Sequence, residues 1–486
     1  MNTEQKLRTC FNGMVIHKNL KNTGFFSSLS LPSFTRDWIL QRFEDSEGNF
    51  DPAKVTEFTN RVIPKRKDWT AIKSRLIKDF EPVRMLTKIS VSIDVRTGKV
   101  SFSLPELGVS DKETIIEDRD WNRFKNEIIN ANGCEVWGMI ELLYKEPEGK
   151  HLGQIRLSEF QNFCPYEINP EYYKDARSQF TTSEWIDILL GAVDYNASGY
   201  PDEESKLSML SRLLPFAEER LNLVELAPKG TGKSYLFGKV SRYGWLSSGG
   251  TMSRAKMFYD INRRAEGIVS GYDFITLDEV QTISFGSGSQ KDIDEMRAAL
   301  KGYLEQGTFT VGNYAGKATA GLILSGNISH ELLESEGALD MFSELPTIFH
   351  ESALIDRLHG FINGKNIPRM KEELKCCGWA LNSEYFCSIL HELRSDPSYM
   401  AITEELLDIP SDADTRDSTA VKRIACAYLK LLFPNARNAE DVNRREFNRY
   451  CLKRAMRMRG FIKNQLAIID SEYRGKIMPL IRTKGL

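Results

Sequence analysis

Apolar residues near the N-terminus recur at helical spacing. Phe34-Thr35-Arg36-Asp37-Trp38-Ile39-Leu40-Gln41-Arg42-Phe43 reads as a helix, and Asp68-Trp69 through Phe80 reads as a basic amphipathic one. The period then shortens to two. Lys88-Ile89-Ser90-Val91-Ser92-Ile93-Asp94-Val95 alternates, Arg96-Thr97-Gly98-Lys99 supplies a turn, and Val100-Ser101-Phe102-Ser103-Leu104 alternates again. That pattern predicts a β-hairpin. Further strand is expected over Cys134–Leu142 and Gly153–Leu157, which gives a small β-rich domain, in one arrangement a barrel. At Phe180-Thr181-Thr182-Ser183-Glu184-Trp185 hydroxyl residues precede an acid and an apolar run, a helix-start signature. Asn196 to Glu204 is a polar loop. From Leu221 short apolar strands alternate with helices, the pattern of a parallel α/β sheet. The expected division is a helical region 1–80, a β-rich domain 81–168, an α/β core 169–370, and a helical segment 371–486 with a basic end.

Composition changes this picture little. The 486 residues are 41% hydrophobic and 27% charged, values of an ordinary folded protein with real cores. No apolar run approaches the roughly 18 residues of a membrane span, and the N-terminus lacks a secretory layout, so the expected compartment is the cytoplasm. Eight cysteines without C-x-x-C spacing exclude a disulfide scaffold and argue against structural zinc. The net charge of -2 conceals an asymmetry: residues 1–90 carry +6, residues 444–486 carry +9, and the middle carries -17. Basic ends around an acidic middle suit a polyanion such as nucleic acid, or simply solvated helix faces.

The chemistry concentrates in Leu221-Asn222-Leu223-Val224-Glu225-Leu226-Ala227-Pro228-Lys229-Gly230-Thr231-Gly232-Lys233-Ser234. An apolar strand runs into a loop ending Gly-Lys-Ser, and Tyr235 to Val240 continues as helix. This is a phosphate-binding loop for ATP, with Ala227 where the pattern asks for its first Gly. Lys229, Gly230, Thr231, Gly232, Lys233, Ser234 and Tyr235 are the nucleotide candidates. The glycines let backbone N–H groups wrap phosphates, Lys233 reaches the outer phosphates, and the Ser234 hydroxyl ligates Mg²⁺. Downstream, Tyr272-Asp273-Phe274-Ile275-Thr276-Leu277-Asp278-Glu279 is a buried-type strand ending in two acids. Asp278 fits the Mg²⁺ ligand and Glu279 the base that polarises the attacking water. A third strand, Ala320 to Asn327, ends in a polar amide. The segment resembles the AAA+ class, whose corresponding strand carries a residue that senses the γ-phosphate, which makes Asn327 the candidate, with a turn-forming Asn as the alternative.

These segments resemble the AAA+ ATPases. Asp356-Arg357-Leu358-His359 is similar to the segment where MCM helicases and related proteins place an arginine that reaches a neighbouring subunit's ATP. Arg357 is that candidate, or it pairs with Asp356 or Glu351. The stretch Gly307 to Thr319 reads as a hairpin with an Asn-Tyr-Ala-Gly tip, and the same resemblance makes Lys317, beside Tyr314, a pore contact for DNA; a solvated hairpin is the alternative. In the C-terminal helices one of Arg454, Arg457 and Arg459 is expected to be a second nucleotide sensor.

Taken with Phe180 to Leu190, Ser248-Gly249-Gly250-Thr251 and Leu277-Asp278-Glu279-Val280, the set resembles the BrxL family, the Lon-like AAA+ proteins of BREX phage-defence systems. The resemblance implies an AAA+ P-loop core with a helical lid behind a helical and β-rich, OB-like and MCM-like N-terminal region. It further implies hexameric or paired rings, ATP hydrolysis with Mg²⁺, duplex DNA as partner, and other BREX proteins as companions. Longer members carry a Lon-type protease-like domain after the lid. The sequence stops at Leu486 without a Gly-Pro-Ser-Ala-Gly nucleophile segment, so no peptidase activity is expected. Two other functions compete: an unfoldase feeding a separate protease, with Phe285 as its pore aromatic, and a nucleotide switch that only controls assembly.

Overall fold

The computed structural model describes residues 2–20, 31–45, 49–94, 96–129, 135–149, 152–163, 166–286, 289–335 and 337–486. The chain is mixed α/β and divides into two compact units, residues 42–167 and residues 1–41 with 168–486.

In the smaller unit the hairpin forms as its alternation predicts. Val83–Ile93 runs antiparallel to Val100–Ser103, and the Asp94 amide donates to the Lys99 carbonyl at 2.9 Å. Val95 of that turn and Cys134 at the head of the next predicted strand lie outside the described residues. Val83–Ile93 also pairs with Glu135–Lys145, which pairs with Gln154–Asn162; Thr114–Ile115 joins the latter in parallel. A bridge from Val100 to Ile116 then links the two outer strands, so the five strands close on themselves. At that seam Thr114 Oγ1 accepts the Phe102 amide at 3.0 Å and donates to the Phe102 carbonyl. Helix Asp118–Ile129 lies between the third and fourth strands. The inward side chains, among them Ile89, Phe102, Val136, Ile140 and Leu157, form one buried core with Leu76 of helix Trp69–Lys78.

The larger unit is built on a parallel sheet of five strands: β1 (Leu223–Ala227), β2 (Gly244–Met252), β3 (Phe274–Phe285), β4 (Gly321–Asn327) and β5 (Gly360–Asn363). Their spatial order is β5-β1-β4-β3-β2, every pair parallel. All five β1 side chains are buried, as expected of a parallel strand covered on both faces. On one face Val224, Leu226, Ile275, Leu277, Leu322 and Leu324 meet Leu300 of helix Gln290–Gln306 and Ile462 of helix Lys453–Ile469. On the other, Phe274 packs on Phe216 with ring centroids 4.1 Å apart.

The helical expectation for the first 80 residues misses one strand. Val15–Asn19 pairs antiparallel with Cys377–Leu381, Ile16 opposite Ala380. A five-residue strand whose partner lies at the far end of the chain leaves no local signal. Among the described residues no helix is long and apolar enough to cross a membrane.

Candidate nucleotide site

The loop after β1 takes its shape from two glycines. Gly230 and Gly232 sit at φ 79° and 82°, the left-handed region that a side chain would strain. A Cβ at Gly232 would also stand 2.6 Å from the Tyr195 hydroxyl. Ala227 is not in that region, which is why the departure from the usual first Gly is tolerated. Its methyl is accommodated by Gly364, where an added Cβ would come within 2.1 Å of it. Lys233 curls back: its Nζ donates to the Ala227 and Pro228 carbonyls at 3.1 and 3.3 Å and to Asn327 Oδ1 at 3.4 Å. Burial pulls its pKa below the usual lysine value, with Glu225 opposing. An ammonium resting on uncharged oxygens is ready for anionic ones. The helix that follows, from Lys233, winds into a π-helical turn over Leu236–Val240.

The acids stand beside it because the register brings them there. Leu277 of β3 pairs Leu324 of β4, and Asn327 of β4 pairs Ala227 of β1, so Asp278, Asn327 and the loop share the C-terminal edge of three adjacent strands. That edge is where open α/β sheets bind ligands. Ser234 Oγ donates to Asp278 Oδ2 at 2.5 Å; Ser325 Oγ and the Glu279 amide each donate to Asp278 Oδ1 at 3.0 Å. A hydroxyl and a carboxylate in contact are the hard oxygen donors Mg²⁺ takes. β3 does not end at the two acids but continues to Phe285; Glu279 sits inside it at φ 49°, within the break of its pairing with β2, and its side chain is exposed. Gln281 Nε2 donates to the Asn327 carbonyl at 2.5 Å, which ties the amide strand to the acid strand.

Two supports escaped the sequence reading. Arg212, fully buried, pairs with Glu225 of β1 at 2.5 Å and donates to the Thr231 carbonyl at 2.7 Å and hydroxyl at 3.0 Å. The pair fixes Thr231 of the loop against its own strand. Its signal was available: one cation and one anion, each inside an otherwise apolar run. The second is a buried group around Asp194, which accepts Lys18 Nζ at 2.9 Å, Arg36 Nη2 at 2.7 Å and the Tyr235 hydroxyl at 2.6 Å. Burial would raise the Asp194 carboxyl, but Arg36 and Lys18 outweigh it and hold it below the usual range. Tyr235 is 37% exposed, yet its hydroxyl end is enclosed by this group. Nothing local predicts partners so distant in sequence.

Other candidates lie elsewhere. Arg357 pairs with neither Asp356 nor Glu351; its Nε lies 2.5 Å from Glu305 Oε2. It precedes Gly360, which pairs Leu223 at the start of β1. It therefore stands at the opposite end of the sheet from the loop, a strand length of roughly 13 Å away. Arg459 is buried against Asp417 at 2.7 Å and Asp356 at 2.6 Å, which withdraws it from any ligand. Arg454 and Arg457 converge on Glu204 at 2.9 and 2.8 Å and line a cavity of about 90 Å³ beside Asn363. The hairpin spans Thr308–Val311 and Tyr314–Lys317. Its tip is Gly312-Asn313, not Asn-Tyr-Ala-Gly, because Gly312 at φ 60° suits the tight two-residue turn. Lys317 is exposed, whereas Tyr314 stacks on Tyr259 at 3.7 Å and donates to Glu266 at 2.7 Å. Phe285 is only 5% exposed and packs edge-on against Phe349, so its ring is covered and not presented at a surface.

Residues 155–478 match the family model "Lon-like protease BrxL-like, ATPase domain", and residues 9–144 match "BREX system Lon protease-like protein BrxL N-terminal". The chain belongs to the BrxL family. Two curated relatives, both named Lon-like protease BrxL, extend the likeness over most of this BrxL-family chain. The Escherichia coli protein is 27% identical over 463 residues, 94% of this chain and 63% of its own length. The Bacillus cereus protein is 26% identical over 458 residues, 92% of this chain and 64% of its own length. The chain thus spans less than two thirds of the relatives it matches.

Proposed function

We propose that this chain is a ring-forming AAA+ ATPase that binds DNA and acts in BREX-type antiviral defence. The observation that carries the reading is the convergence of Lys233, Ser234, Asp278 and Asn327 at one edge of the sheet while Arg357 stands at the other. The strand order β5-β1-β4-β3-β2 followed by a helical lid supports the AAA+ assignment. The family match supports the defence role and the companions of the same system.

Ser234 and Asp278 would hold Mg²⁺, which when bound neutralises phosphate charge. Lys229, Gly230, Thr231 and Gly232 wrap the phosphates with backbone, Lys233 trades its carbonyl partners for phosphate oxygens, and Tyr235 anchors the helix beneath them. Glu279 takes the proton of the attacking water, which Asn327 orients. Arg357 is too far from its own loop and serves the site of the next copy, so the active unit is a hexamer or a pair of hexamers. The closed five-stranded barrel of 81–162, with its helix between the third and fourth strands, supports an OB-like DNA module. Lys317 on the exposed hairpin adds a backbone contact in the pore, with Tyr314 buttressing it. Residues 371–486 form the lid.

Mixing Lys233→Ala with Arg357→Ala protomers tests the shared site. Each alone should be inactive, and a 1:1 mixture should recover about a quarter of the wild-type interfaces, since one in four juxtaposes an intact lysine with an intact arginine. No recovery removes the shared site. In gel shifts with duplex DNA, Lys317→Ala should lower the slope of log affinity against log salt by about one; an unchanged slope removes Lys317 from the interface.

A further inference from the structure

Helix Gln290–Gln306 delivers the chain through Gly307, at φ 74°, directly into the hairpin that carries Lys317. Its penultimate residue, Glu305, faces two arginines. One carboxylate oxygen lies 2.5 Å from Arg357 Nε and 3.2 Å from Arg416 Nη2. Arg416 also reaches Asp356 at 2.8 Å, and Asp356 is held by Arg459. So Arg416 is fixed from two sides, while Arg357 is not. Its Nε is close to the carboxylate but makes no aligned hydrogen bond, and its Nη1 donates only to the Ala353 carbonyl of its own turn. A cavity of about 120 Å³ opens at this spot, lined by Glu305, Arg357, Arg416, Thr415 and Thr419. A guanidinium held to its carboxylate by charge and otherwise only by one carbonyl of its own turn, beside open space, exchanges readily for a stronger and better-shaped anion.

We infer that Glu305 is a latch: it holds Arg357 in a stowed position until the triphosphate of a neighbouring copy captures that arginine, and its release frees the base of the hairpin. The inference rests on the trans role of Arg357 proposed above and adds the residue that gates it. Glu305 touches no nucleotide and is a positioning residue. It couples occupancy of the neighbour's site to the hairpin through a single helix end. Arg416 remains as the second partner of Glu305 after Arg357 leaves, so the helix end loosens by one ion pair without unwinding.

The test is steady-state ATP hydrolysis by the full chain. Glu305→Gln keeps the shape and removes the charge; kcat should rise about two- to fivefold, the range of a half-exposed ion pair, with KM unchanged. An unchanged or lower kcat overturns the latch. Arg357→Ala in the same assay separates the two ideas: full turnover removes the trans arginine and the latch with it, whereas lost turnover beside a wild-type-like Glu305→Gln removes the latch alone. Hydrogen exchange of Thr308 to Lys317 gives a readout independent of turnover. A non-hydrolysable ATP analogue should change exchange there in wild type and not in Arg357→Ala, and equal responses overturn the coupling.

Discussion

Asp278 receives three donors, from Ser234, Ser325 and the backbone of Glu279, while Glu279 itself is turned to solvent by a left-handed residue. Two adjacent acids are thus separated in setting by one backbone angle: the first is held by donors, the second is exposed to solvent. Glu279→Gln should retain nucleotide binding and lose hydrolysis by about 10²- to 10⁴-fold, the usual contribution of a general base. Nucleotide titration and phosphate release check this, and wild-type turnover would remove Glu279 as the base. The expected strand end at the acids was not met, as β3 continues to Phe285. The residue types here were readable in advance, since Gly-Lys-Ser and Asp-Glu each follow an apolar run. The left-handed turn at Glu279 was not, because it arises where the pairing of β3 with β2 breaks between Asp278 and Ile283.

At the scale of elements, β1 is the piece on which the site depends. Its Glu225 holds Arg212, and Arg212 holds Thr231, so strand and loop share one buried ion pair. Removing one partner strands the other charge in the core. Arg212→Met should therefore cost about 3–5 kcal/mol of stability, measured by urea unfolding; a loss under about 1 kcal/mol would mean that the loop is held by its glycines alone. Helices and strands with a local period were legible: Ser33–Phe43, Trp69–Lys78, the hairpin at 83–103 and the α/β alternation after Leu221. The strand Val15–Asn19 was not, because its pairing energy is entirely non-local. The hairpin was legible as an element but misplaced at its tip, where a single glycine angle decides the turn.

Across the whole molecule, His359 ties the start of the sheet together. Its Nδ1 accepts the Asn222 amide at 3.0 Å, and its own amide donates to the Asn222 carbonyl at 2.8 Å. The Asn222 side chain in turn meets β4 at the Leu322 amide, 3.0 Å away. Burial, then the nearby Arg423 charge, pushes the His359 pKa well below the usual value. The folded state thus keeps this ring neutral while an unfolded chain, with a pKa of about 6.5, takes a proton. Stability is fully present above that value and is lost as pH falls below it. Between pH 7.5 and 5.5 the loss from this one group should approach about 1.4 kcal/mol, and His359→Asn, which keeps an acceptor, should flatten the slope by that amount. Parallel urea midpoints for the two proteins would show that His359 is not the titrating group.

The sequence by itself determined the candidate residues and the local order: the Gly-Lys-Ser loop, the two acids, the amide and the arginine, each attached to a strand or helix whose period is written in neighbouring residues. Only the tertiary structure decided which of these meet, because a parallel sheet orders its strands by crossovers that no local pattern encodes. That order puts Asp278 and Asn327 beside Lys233 and sends Arg357 to the far edge, against Glu305. Burial likewise sorted Arg454, Arg457 and Arg459 and enclosed Phe285, since which face of an element is covered depends on what the rest of the chain lays over it.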